Sequence, residues 1–220
     1  MRIAIVGYGK MGKTIESIAL AQGHQIILRI DSNNQLNKHI GSLEQVDVAI
    51  EFSAPDAAYE HIKLLLEHHV PVVCGTTAWL DKKPAVEELC RSKDTAFFYA
   101  SNFSLGVNLF FKLNKAFATL MNKYSHLYKP NIKEIHHTEK LDAPSGTAIT
   151  LAEGLIEQLD DIDSWRLDGK EERVLGIQAD RLPDVPGTHE ISFKAEEDEL
   201  SIKHVAHSRI GFAKGALLAA

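Results

Sequence analysis

The chain has 220 residues, of which 45% are hydrophobic and 25% are charged, and its formal net charge is −6. These proportions are ordinary for a soluble globular protein, and they exclude a disordered, collagen-like or coiled-coil chain. The small acidic excess argues against a nucleic-acid-binding protein, which usually carries a basic patch. The 2 cysteines are too few for a disulfide framework, and no apolar run approaches the roughly 20 residues of a membrane span. We therefore expect a cytoplasmic protein with no nucleic-acid or membrane partner.

The first half of the chain alternates short apolar runs with amphipathic stretches. The run Ile3-Ala4-Ile5-Val6 is typical of a strand buried on both faces. A helix is predicted to begin near Met11 and to end at Gly23, because glycine is favoured just after a helix C-terminus. Strands that alternate with helices in this way indicate βαβ units and a parallel sheet. Further strands are predicted at residues 25–30, 46–52, 71–74 and 96–99, and further helices at residues 55–67 and 82–92.

The pattern changes after residue 105. Apolar and polar residues alternate on both sides of the acidic turn Glu196–Glu199, which predicts an antiparallel, solvent-facing hairpin. We therefore predict an α/β protein with a Rossmann-like, doubly wound parallel sheet and a second α+β domain with a mixed or antiparallel sheet. The other elements predicted here are a strand at residues 131–137 and helices at residues 107–121, 145–159 and 212–220.

A glycine-rich loop joins the first predicted strand to the first predicted helix. In its G-x-G-x-x-G pattern, the first glycine permits a tight turn, the second lets the backbone approach a pyrophosphate, and the third lets helix and strand pack closely. An ordinary glycine turn would not bring strand, glycines, helix, strand and acidic residue in that order. We therefore predict a dinucleotide-binding loop, which consists of Gly7, Tyr8, Gly9, Lys10, Met11 and Gly12.

Asp31 ends the second predicted strand, where a carboxylate typically accepts hydrogen bonds from the adenine ribose of a dinucleotide. Its charge would repel a 2′-phosphate, which favours NADH over NADPH. Lys10 and Lys13 stand at the glycine loop and could offset that repulsion. Both NADH and NADPH therefore stay open as the cofactor.

The segment at residues 134–148 combines three kinds of chemistry. Two adjacent histidines at the end of a predicted strand offer an acid or base near neutral pH. A lysine supplies a permanent cation, and a Ser-Gly-Thr sequence opens a predicted helix, whose N-terminal N–H groups receive anions. The segment would suit a substrate that carries a carboxylate. Its candidate residues are His136, His137, Lys140, Ser145, Gly146 and Thr147.

The same segment has other interpretations. Two histidines can simply mark a partly exposed strand end, and Ser145 can be only a helix N-cap. Ser145 does not lie in the G-x-S-x-G pattern of a serine hydrolase. A metal site would draw on histidines that show no known ligand spacing and have no cysteine near them, so we predict no metal. These histidines are His136, His137, His189, His204 and His207.

The string Glu134–Ala148 reads E-I-H-H-T-E-K-L-D-A-P-S-G-T-A and closely resembles the signature of the dihydrodipicolinate reductase family. Shorter segments elsewhere resemble other parts of that family's sequence in the same order. The resemblance therefore spans nearly the whole chain. These shorter segments are residues 51–55, 74–77, 100–108, 187–190 and 208–213.

The resemblance implies an enzyme that reduces a small cyclic imine dicarboxylate, 4-hydroxy-tetrahydrodipicolinate, with NADH or NADPH. The product is tetrahydrodipicolinate, water is lost, and the reaction belongs to the diaminopimelate route to lysine. The resemblance implies that His136 donates or accepts the proton and that Lys140 is its proton-donating partner. Substrate carboxylates are implied to bind at His137, Lys140, Ser145, Gly146 and Thr147. Further cofactor contacts are implied for Gly75, Thr76, Thr77, Ala100, Ser101, Asn102 and Phe103.

The resemblance also implies a domain organisation. A dinucleotide-binding domain would comprise residues 1–105 plus 206–220, and a substrate-binding and oligomerisation domain, whose sheet builds a homotetramer, residues 106–205. Ser32 stands where many members carry arginine, which again leaves the cofactor preference open. Two alternatives remain, a Rossmann oxidoreductase for another anionic substrate and a non-catalytic NAD(P)H-binding sensor. The presence of both the histidine and the lysine of the signature argues against the sensor.

Overall fold

The computed structural model describes residues 1–208 and 210–220. Arg209, which belongs to the last family-like segment and to the predicted dinucleotide-binding domain, lies outside the described residues. The chain divides into two compact units. The first unit comprises residues 1–104 and 210–220, and the second comprises the described residues 105–208.

Each unit contains one sheet with its own helices. Among the helices of the described residues, none is both long enough and apolar enough to cross a bilayer. The elements of the first 104 residues are β1 (Arg2–Val6), α1 (Lys10–Ala21), β2 (Gln25–Ile30), β3 (Val48–Glu51), α2 (Pro55–Glu67), β4 (Val72–Cys74), α3 (Lys83–Ser92) and β5 (Phe97–Tyr99), with 3₁₀ segments at Leu36–Gln45 and Leu80–Lys82. The later elements are α4 (Leu105–Asn122), β6 (Lys129–His136), α5 (Gly146–Ile156), β7 (Ser164–Leu167), β8 (Val174–Arg181), β9 (Gly187–Lys194), β10 (Glu199–Ala206) and α6 (Ile210–Ala219).

The sheet of the first unit has the strand order β2-β1-β3-β4-β5, and every neighbouring pair is parallel. Its central strands are continuous apolar runs because both faces are covered, so that Ile3 to Val6 and all of β3 are buried. The strand order reverses beside β1, and all strands end at one edge, where doubly wound sheets bind their ligands. The predicted doubly wound parallel sheet is confirmed.

Helix α6 completes the first unit from the far end of the sequence. Its buried residues Ala213, Ala216 and Leu217 pack in one core cluster with residues of β1 and α1. The helix approaches the backbone so closely that a Cβ at Gly215 would lie 1.7 Å from the carbonyl oxygen of Phe103. This packing therefore requires glycine at that position.

We expect Gly215→Ala to lower the free energy of unfolding by about 3 kcal/mol, because the added methyl group overlaps a backbone atom that cannot rotate away. Gly211→Ala is the matched control on the same helix, since its Cβ would meet no atom closer than 3.7 Å, the hydroxyl oxygen of Ser104. Alanine in a helix is otherwise favoured over glycine by about 1 kcal/mol. Urea titrations of both variants measure the difference, and equal effects of the two substitutions would contradict the expectation.

The sheet of the second unit is mixed and has the order β10-β9-β6-β8-β7. Strand β9 is antiparallel to β10 and β6, whereas β8 is parallel to β6 and β7. Helices α4 and α5 cover one face through residues such as Phe110 and Leu151, which pack in one cluster with Ile132 of β6. Since side chains alternate along a strand, Glu134 and His136 follow Ile132 on the buried side. The predicted mixed sheet is confirmed, and it carries two polar side chains into the protein.

Two details of this sheet differ from the sequence-based expectations. Strands β7 and β8 lie outside the predicted elements. Strand β8 is continuous, but Gly176 interrupts its apolar pattern, and a Cβ there would lie 2.6 Å from the carbonyl oxygen of Gly169. The hairpin of β9 and β10 is antiparallel as predicted. The prediction that this hairpin faces solvent is wrong for β9. That strand lies between β10 and β6, and all its residues except Glu190 and Lys194 are buried.

Candidate active site

The carboxyl ends of β1, β2 and β3 surround a cleft of about 610 Å³ in the first unit. Gly7 has a φ of +97°, and a Cβ there would lie 1.9 Å from the carbonyl oxygen of Phe52, so the turn requires glycine. A Cβ at Gly12 would lie 2.4 Å from the carbonyl oxygen of Gly7, which shows how closely helix and strand pack. A Cβ at Gly9 would meet no atom within 4 Å. The cleft lining includes Gly7, Tyr8, Gly9, Asp31, Phe52 and Ser53.

Helix α1 points its N-terminus towards this loop. Gly9 is its N-cap and makes no side-chain capping bond, and the first turn, which contains Lys10 and Met11, has no acidic residue. The first N–H groups of a helix have no partner within the helix, and the helix dipole adds positive potential there. The loop and the helix end therefore fit the pyrophosphate of a dinucleotide.

Asp31 follows β2 and lines the same cleft. Its Oδ1 accepts the backbone N–H groups of Asn33 at 2.8 Å and of Asn34 at 2.9 Å. On the other side of the glycine loop, Nζ of Lys13 lies 5.9 Å from the centre of the Tyr8 ring. Asp31 therefore shapes the turn after β2 while its carboxylate borders the cleft.

The loops after β3 and β4 are tied together by a buried carboxylate. Glu51, which is 0% exposed, accepts the N–H of Ser53 at 3.1 Å and the thiol of Cys74 at 3.1 Å. The N–H of Ser53 also donates to Oγ1 of Thr76 at 2.8 Å. Burial alone would raise the pKa of Glu51, but hydrogen bonds from His61, Ser53 and Cys74 lower it. An ionised carboxylate thus fixes the loop that carries Thr76.

The other predicted cofactor residues follow β4 and β5 along the same edge of the sheet. These residues, which are 75–77 and 100–103, are not part of the lining of the 610 Å³ cleft as the described residues form it. Gly75 lies under the Phe52 ring, where a Cβ would approach the ring to 2.1 Å. Thr76 is buried, Thr77 is exposed, and the Phe103 ring packs 5.6 Å from the Phe52 ring. The residues that lead from β5 to Phe103 are Ala100, Ser101 and Asn102.

In the second unit, strand pairing assembles a buried polar cluster around β6. Glu134 is 0% exposed and His136 is 7% exposed. The antiparallel register with β9 sets His189 opposite Glu134, and the parallel register with β8 sets Arg181 opposite His136. The rings of His136 and His189 meet edge to face with their centres 5.1 Å apart. The predicted acid–base residue thus stands in a group of four ionisable side chains.

Glu134 is at the centre of this cluster. Its two carboxylate oxygens accept the backbone N–H of Ser145 at 3.1 and 3.2 Å. Nδ1 of His136 and Nε2 of His189 each lie 3.6 Å from Oε2, and the Arg181 guanidinium lies 3.7 Å from Oε1. Burial would raise the pKa of Glu134, but hydrogen bonds from His189 and Ser145 and the proximity of His136 lower it to about 2. Glu134 is therefore an anion at neutral pH.

The surroundings of Glu134 favour its charged form, whereas those of His136 favour its neutral form. Burial lowers its pKa to about 4, because the imidazolium ion loses its hydration. The charge of Glu134 opposes this shift, whereas His189, Lys140 and Arg181 increase it. Within residues 1–208 and 210–220, Nδ1 of His136 is buried without a hydrogen-bond partner. The free protein therefore holds His136 as neutral imidazole at pH 7.

The loop at residues 137–145 connects β6 to α5 and carries Lys140. Nζ of Lys140 donates to both carboxylate oxygens of Asp142 at 2.8 and 2.7 Å, and the carbonyl oxygen of His137 accepts the N–H of Lys140 at 3.1 Å. Arg181 donates to the carbonyl oxygens of Lys140 at 3.3 Å and of Asp142 at 2.7 Å. Arg181 thus holds the loop against β8 and fixes the position of the lysine.

Helix α5 begins at Gly146, immediately after this loop. Ser145 is its N-cap, since Oγ accepts the N–H of Ala148 at 3.1 Å, and the same oxygen lies 3.2 Å from Nε2 of His189. A Cβ at Gly146 would meet no atom within 4 Å. The helix therefore has open space at Gly146, beside the buried cluster, and the hydroxyl-bearing Thr147 is the next residue.

Three residues of the cluster were not among the predicted site residues: Glu134, Arg181 and His189. A signal for Glu134 was present, since it precedes His136 by two positions and must share its face of the strand. Arg181 and His189 reach the cluster through strand pairing between distant segments, which no local pattern indicates.

Glu134, His136 and His189 also offer three ligand atoms that lie within 4.8 Å of one another. The carboxylate, however, already accepts a hydrogen bond from Ser145 and lies beside the Arg181 guanidinium. A cation would have to compete with both groups. The arrangement resembles a hydrogen-bonded acid–base cluster more closely than a metal centre.

Comparison with known proteins gives the family of the chain. The family model for the N-terminus of dihydrodipicolinate reductase matches residues 1–103, and the model for its C-terminus matches residues 106–220. A 4-hydroxy-tetrahydrodipicolinate reductase from Christiangramia forsetii is 47% identical over 220 residues, which cover 100% of this chain and 91% of that protein. A protein of the same name from Desulfovibrio desulfuricans is 34% identical over 242 residues, covering 99% of this chain and 92% of the relative.

Solved structures agree with these sequence matches. The dipicolinate-bound dihydrodipicolinate reductase from Paenisporosarcina sp. TG-14 superposes with a TM-score of 0.77 at 25% identity, covering 99% of this chain and 92% of that one. Aspartate dehydrogenase from Thermotoga maritima, at 14% identity and a TM-score of 0.51 over 100% of this chain and 94% of its own, shares the fold. Since both halves match the family models in order, the chain belongs to the dihydrodipicolinate reductase family.

Proposed function

We propose that this chain reduces 4-hydroxy-tetrahydrodipicolinate to tetrahydrodipicolinate with NADH or NADPH and with loss of water, in the diaminopimelate route to lysine. The observation that carries the proposal is the 47% identity, over 220 residues, to a protein named for this reaction. The chain is an oxidoreductase of this family, and its N-terminal half matches the family's nucleotide-binding domain.

We assign to His136 the donation of the proton in this reaction. Reduced nicotinamide, when bound, supplies a hydride to the ring carbon that becomes C4. Before that transfer, the C4 hydroxyl group and a hydrogen of the adjacent ring carbon leave together as water, which leaves a C=C bond conjugated with the imine. After the hydride adds to C4, the adjacent carbon takes up a proton, so that each turnover consumes one hydride and one proton. A dianionic substrate next to His136 would oppose the effect of burial and raise the pKa of the imidazole. Substrate binding would therefore protonate the group that then donates the proton, with Lys140 as its partner.

The carboxylates of the substrate are assigned to the N-terminus of α5 and to the preceding loop. The open first turn of the helix, with Gly146 and Thr147, suits an anion. Lys140 can exchange Asp142, which is 63% exposed, for a substrate carboxylate without uncovering a buried charge. Ser145 and His137 complete the proposed substrate site.

The cofactor is assigned to the glycine loop and to Asp31. The unpaired N–H groups at the start of α1 suit the pyrophosphate, and the Asp31 carboxylate suits a ribose hydroxyl. The further cofactor contacts proposed from the family resemblance are Gly75, Thr76, Thr77, Ala100, Ser101, Asn102 and Phe103.

We also propose a homotetramer, on the family resemblance. The sheet of the second unit supports an assembly role, since its edge strand β10 exposes Leu200 and Val205. Light scattering after size exclusion should give four times the mass of one chain. The mass of a single chain would contradict this assignment.

A coupled assay tests the reaction. Dihydrodipicolinate synthase makes the unstable substrate from pyruvate and aspartate semialdehyde, and the absorbance of the reduced nicotinamide is followed with NADH and NADPH separately. We expect oxidation of the cofactor that depends on the synthase, and the two rates give the cofactor preference. Cofactor binding without oxidation would favour a sensor, and oxidation with a different imine or keto acid alone would favour another substrate.

A further inference from the structure

We propose that Glu134 is a positioning residue for the reaction, whose buried carboxylate keeps His136 able to take up its proton and holds the start of α5 in place. This inference rests on the proposed function, because it requires His136 to donate a proton to the substrate. It assigns a role to a side chain that is not among the residues proposed to bind the substrate or the cofactor.

The first argument is that an isolated buried charge is costly unless other groups compensate it. Glu134 is 0% exposed, and charged or titratable groups face it from each neighbouring segment. On the strands these groups are His136 of β6, His189 of β9 and Arg181 of β8, within 3.6 to 3.7 Å. The loop adds Lys140 with its partner Asp142. The carboxylate is therefore built into a balanced cluster.

The second argument concerns the proton on His136. Burial, His189, Lys140 and Arg181 all disfavour the imidazolium, and the charge of Glu134 favours it. The distance of 3.6 Å between Nδ1 of His136 and Oε2 of Glu134 is short enough for a strong electrostatic effect. Without this anion, the charge of the bound substrate would have to overcome the other influences by itself.

The third argument concerns the substrate site. Both oxygens of Glu134 accept the N–H of Ser145, the N-cap of α5. This contact anchors the helix start to β6 while Gly146, the next residue, stays open. Glu134 would thus take the first N–H group itself and leave the following turn to the substrate carboxylate.

Glu134→Gln removes the charge and keeps both the length of the side chain and an oxygen that can accept the Ser145 N–H. We expect the basic limb of the kcat–pH profile to move to lower pH by about one unit or more, since an opposite charge within 4–6 Å shifts a pKa by about 1–3 units. At pH values on the basic limb of the parent profile, kcat should fall at least about tenfold, because there each unit leaves about tenfold less protonated donor. KM should change less than threefold.

Glu134→Asp is the complementary variant, because it keeps the charge and shortens the reach to Ser145. Here we expect the pH limb to stay within about half a unit of its original position and KM to rise, about fivefold or more. Glu190→Gln is the matched control, since Glu190 lies on the next strand, is partly exposed and pairs with Lys203 at 3.1 Å. This control should leave kcat, KM and the pH profile unchanged.

The outcomes separate positioning from a purely structural role. A fall in kcat of Glu134→Gln at every pH, with an unmoved basic limb, would overturn the inference, and so would unchanged kinetics. Circular dichroism and thermal unfolding show whether Glu134→Gln folds. If it does not, the kcat–pH profile of Glu134→Asp is the test, because a shift of its basic limb by more than about half a unit would contradict an electrostatic role. If the parent protein shows no synthase-dependent oxidation of NADH or NADPH, the proposed function itself has failed, and this result is distinct from a failure confined to Glu134.

Discussion

Replacing His136 by glutamine should lower kcat by about 10²-fold or more, the effect expected when a general acid is lost. Glutamine has a similar volume, and its amide N–H can donate to Glu134, which lies 3.6 Å from Nδ1 of the native imidazole. Glutamine cannot supply a proton, however. The substrate ring would then have to take its proton from water, and little water reaches this position, since His136 is only 7% exposed. The coupled assay measures kcat, and titration of the nicotinamide fluorescence measures cofactor binding, which should stay intact.

His126→Gln is the control for this experiment. His126 lies in the turn after α4 and is exposed, and it belongs to the same unit. The same change there should leave turnover within about twofold of the parent. Full turnover of His136→Gln would refute the assignment of the proton, whereas loss of cofactor binding would indicate a wider structural defect.

Lys140→Ala should impair both rate and substrate affinity, with kcat/KM lowered about 100-fold. A hydrogen bond to a charged group is worth about 1.5–3 kcal/mol, and about 1.4 kcal/mol corresponds to a factor of ten. In the free protein Nζ of Lys140 is 2.7 Å from an oxygen of Asp142, and its side chain is 20% exposed, so the ammonium group can reach a ligand without a large rearrangement. Steady-state kinetics at saturating cofactor separates kcat from KM.

Lys133→Ala is the matched control for the lysine. Lys133 lies on β6 and also pairs with an aspartate, Asp180, at 3.0 Å, but its side chain is 39% exposed. Surface ion pairs of this kind contribute about 0–1 kcal/mol, so both stability and kinetics should change little. A loss of cofactor affinity alone in Lys140→Ala would contradict the role assigned to Lys140.

The first sheet was predictable because its information is local. Gly7 and Gly12 stand where a Cβ would meet backbone at 1.9 and 2.4 Å, so the packing demands the glycines by which the loop is recognised. The apolar runs of β1 and β3 are fully enclosed, and a continuous run is the pattern typical of such strands. The residues by which these elements are recognised in the sequence are therefore the same residues that their packing requires.

The polar cluster of the second unit could be predicted only in part. His136 and Lys140 stand within one continuous signature, but Arg181 and His189 come from strands whose register is fixed by the whole sheet. Strand β8 was not predicted, because its apolar residues Leu175 and Ile177 stand on either side of a glycine and the positions after them are mostly polar. Long-range pairing, rather than local preference, decides where such residues lie.

The return of α6 to the first unit has a consequence for how the protein is made. The apolar face that receives Ala213, Ala216 and Leu217 includes Ile3 and Ile15, which are synthesised before the second unit. At about 5 to 20 residues per second, the chain from Ile15 to Ala213 takes about 10 to 40 s to follow. During that interval the nascent first unit exposes this face without α6, and transiently exposed apolar surface of this kind favours aggregation. The first unit can therefore be completed only after the second has been synthesised.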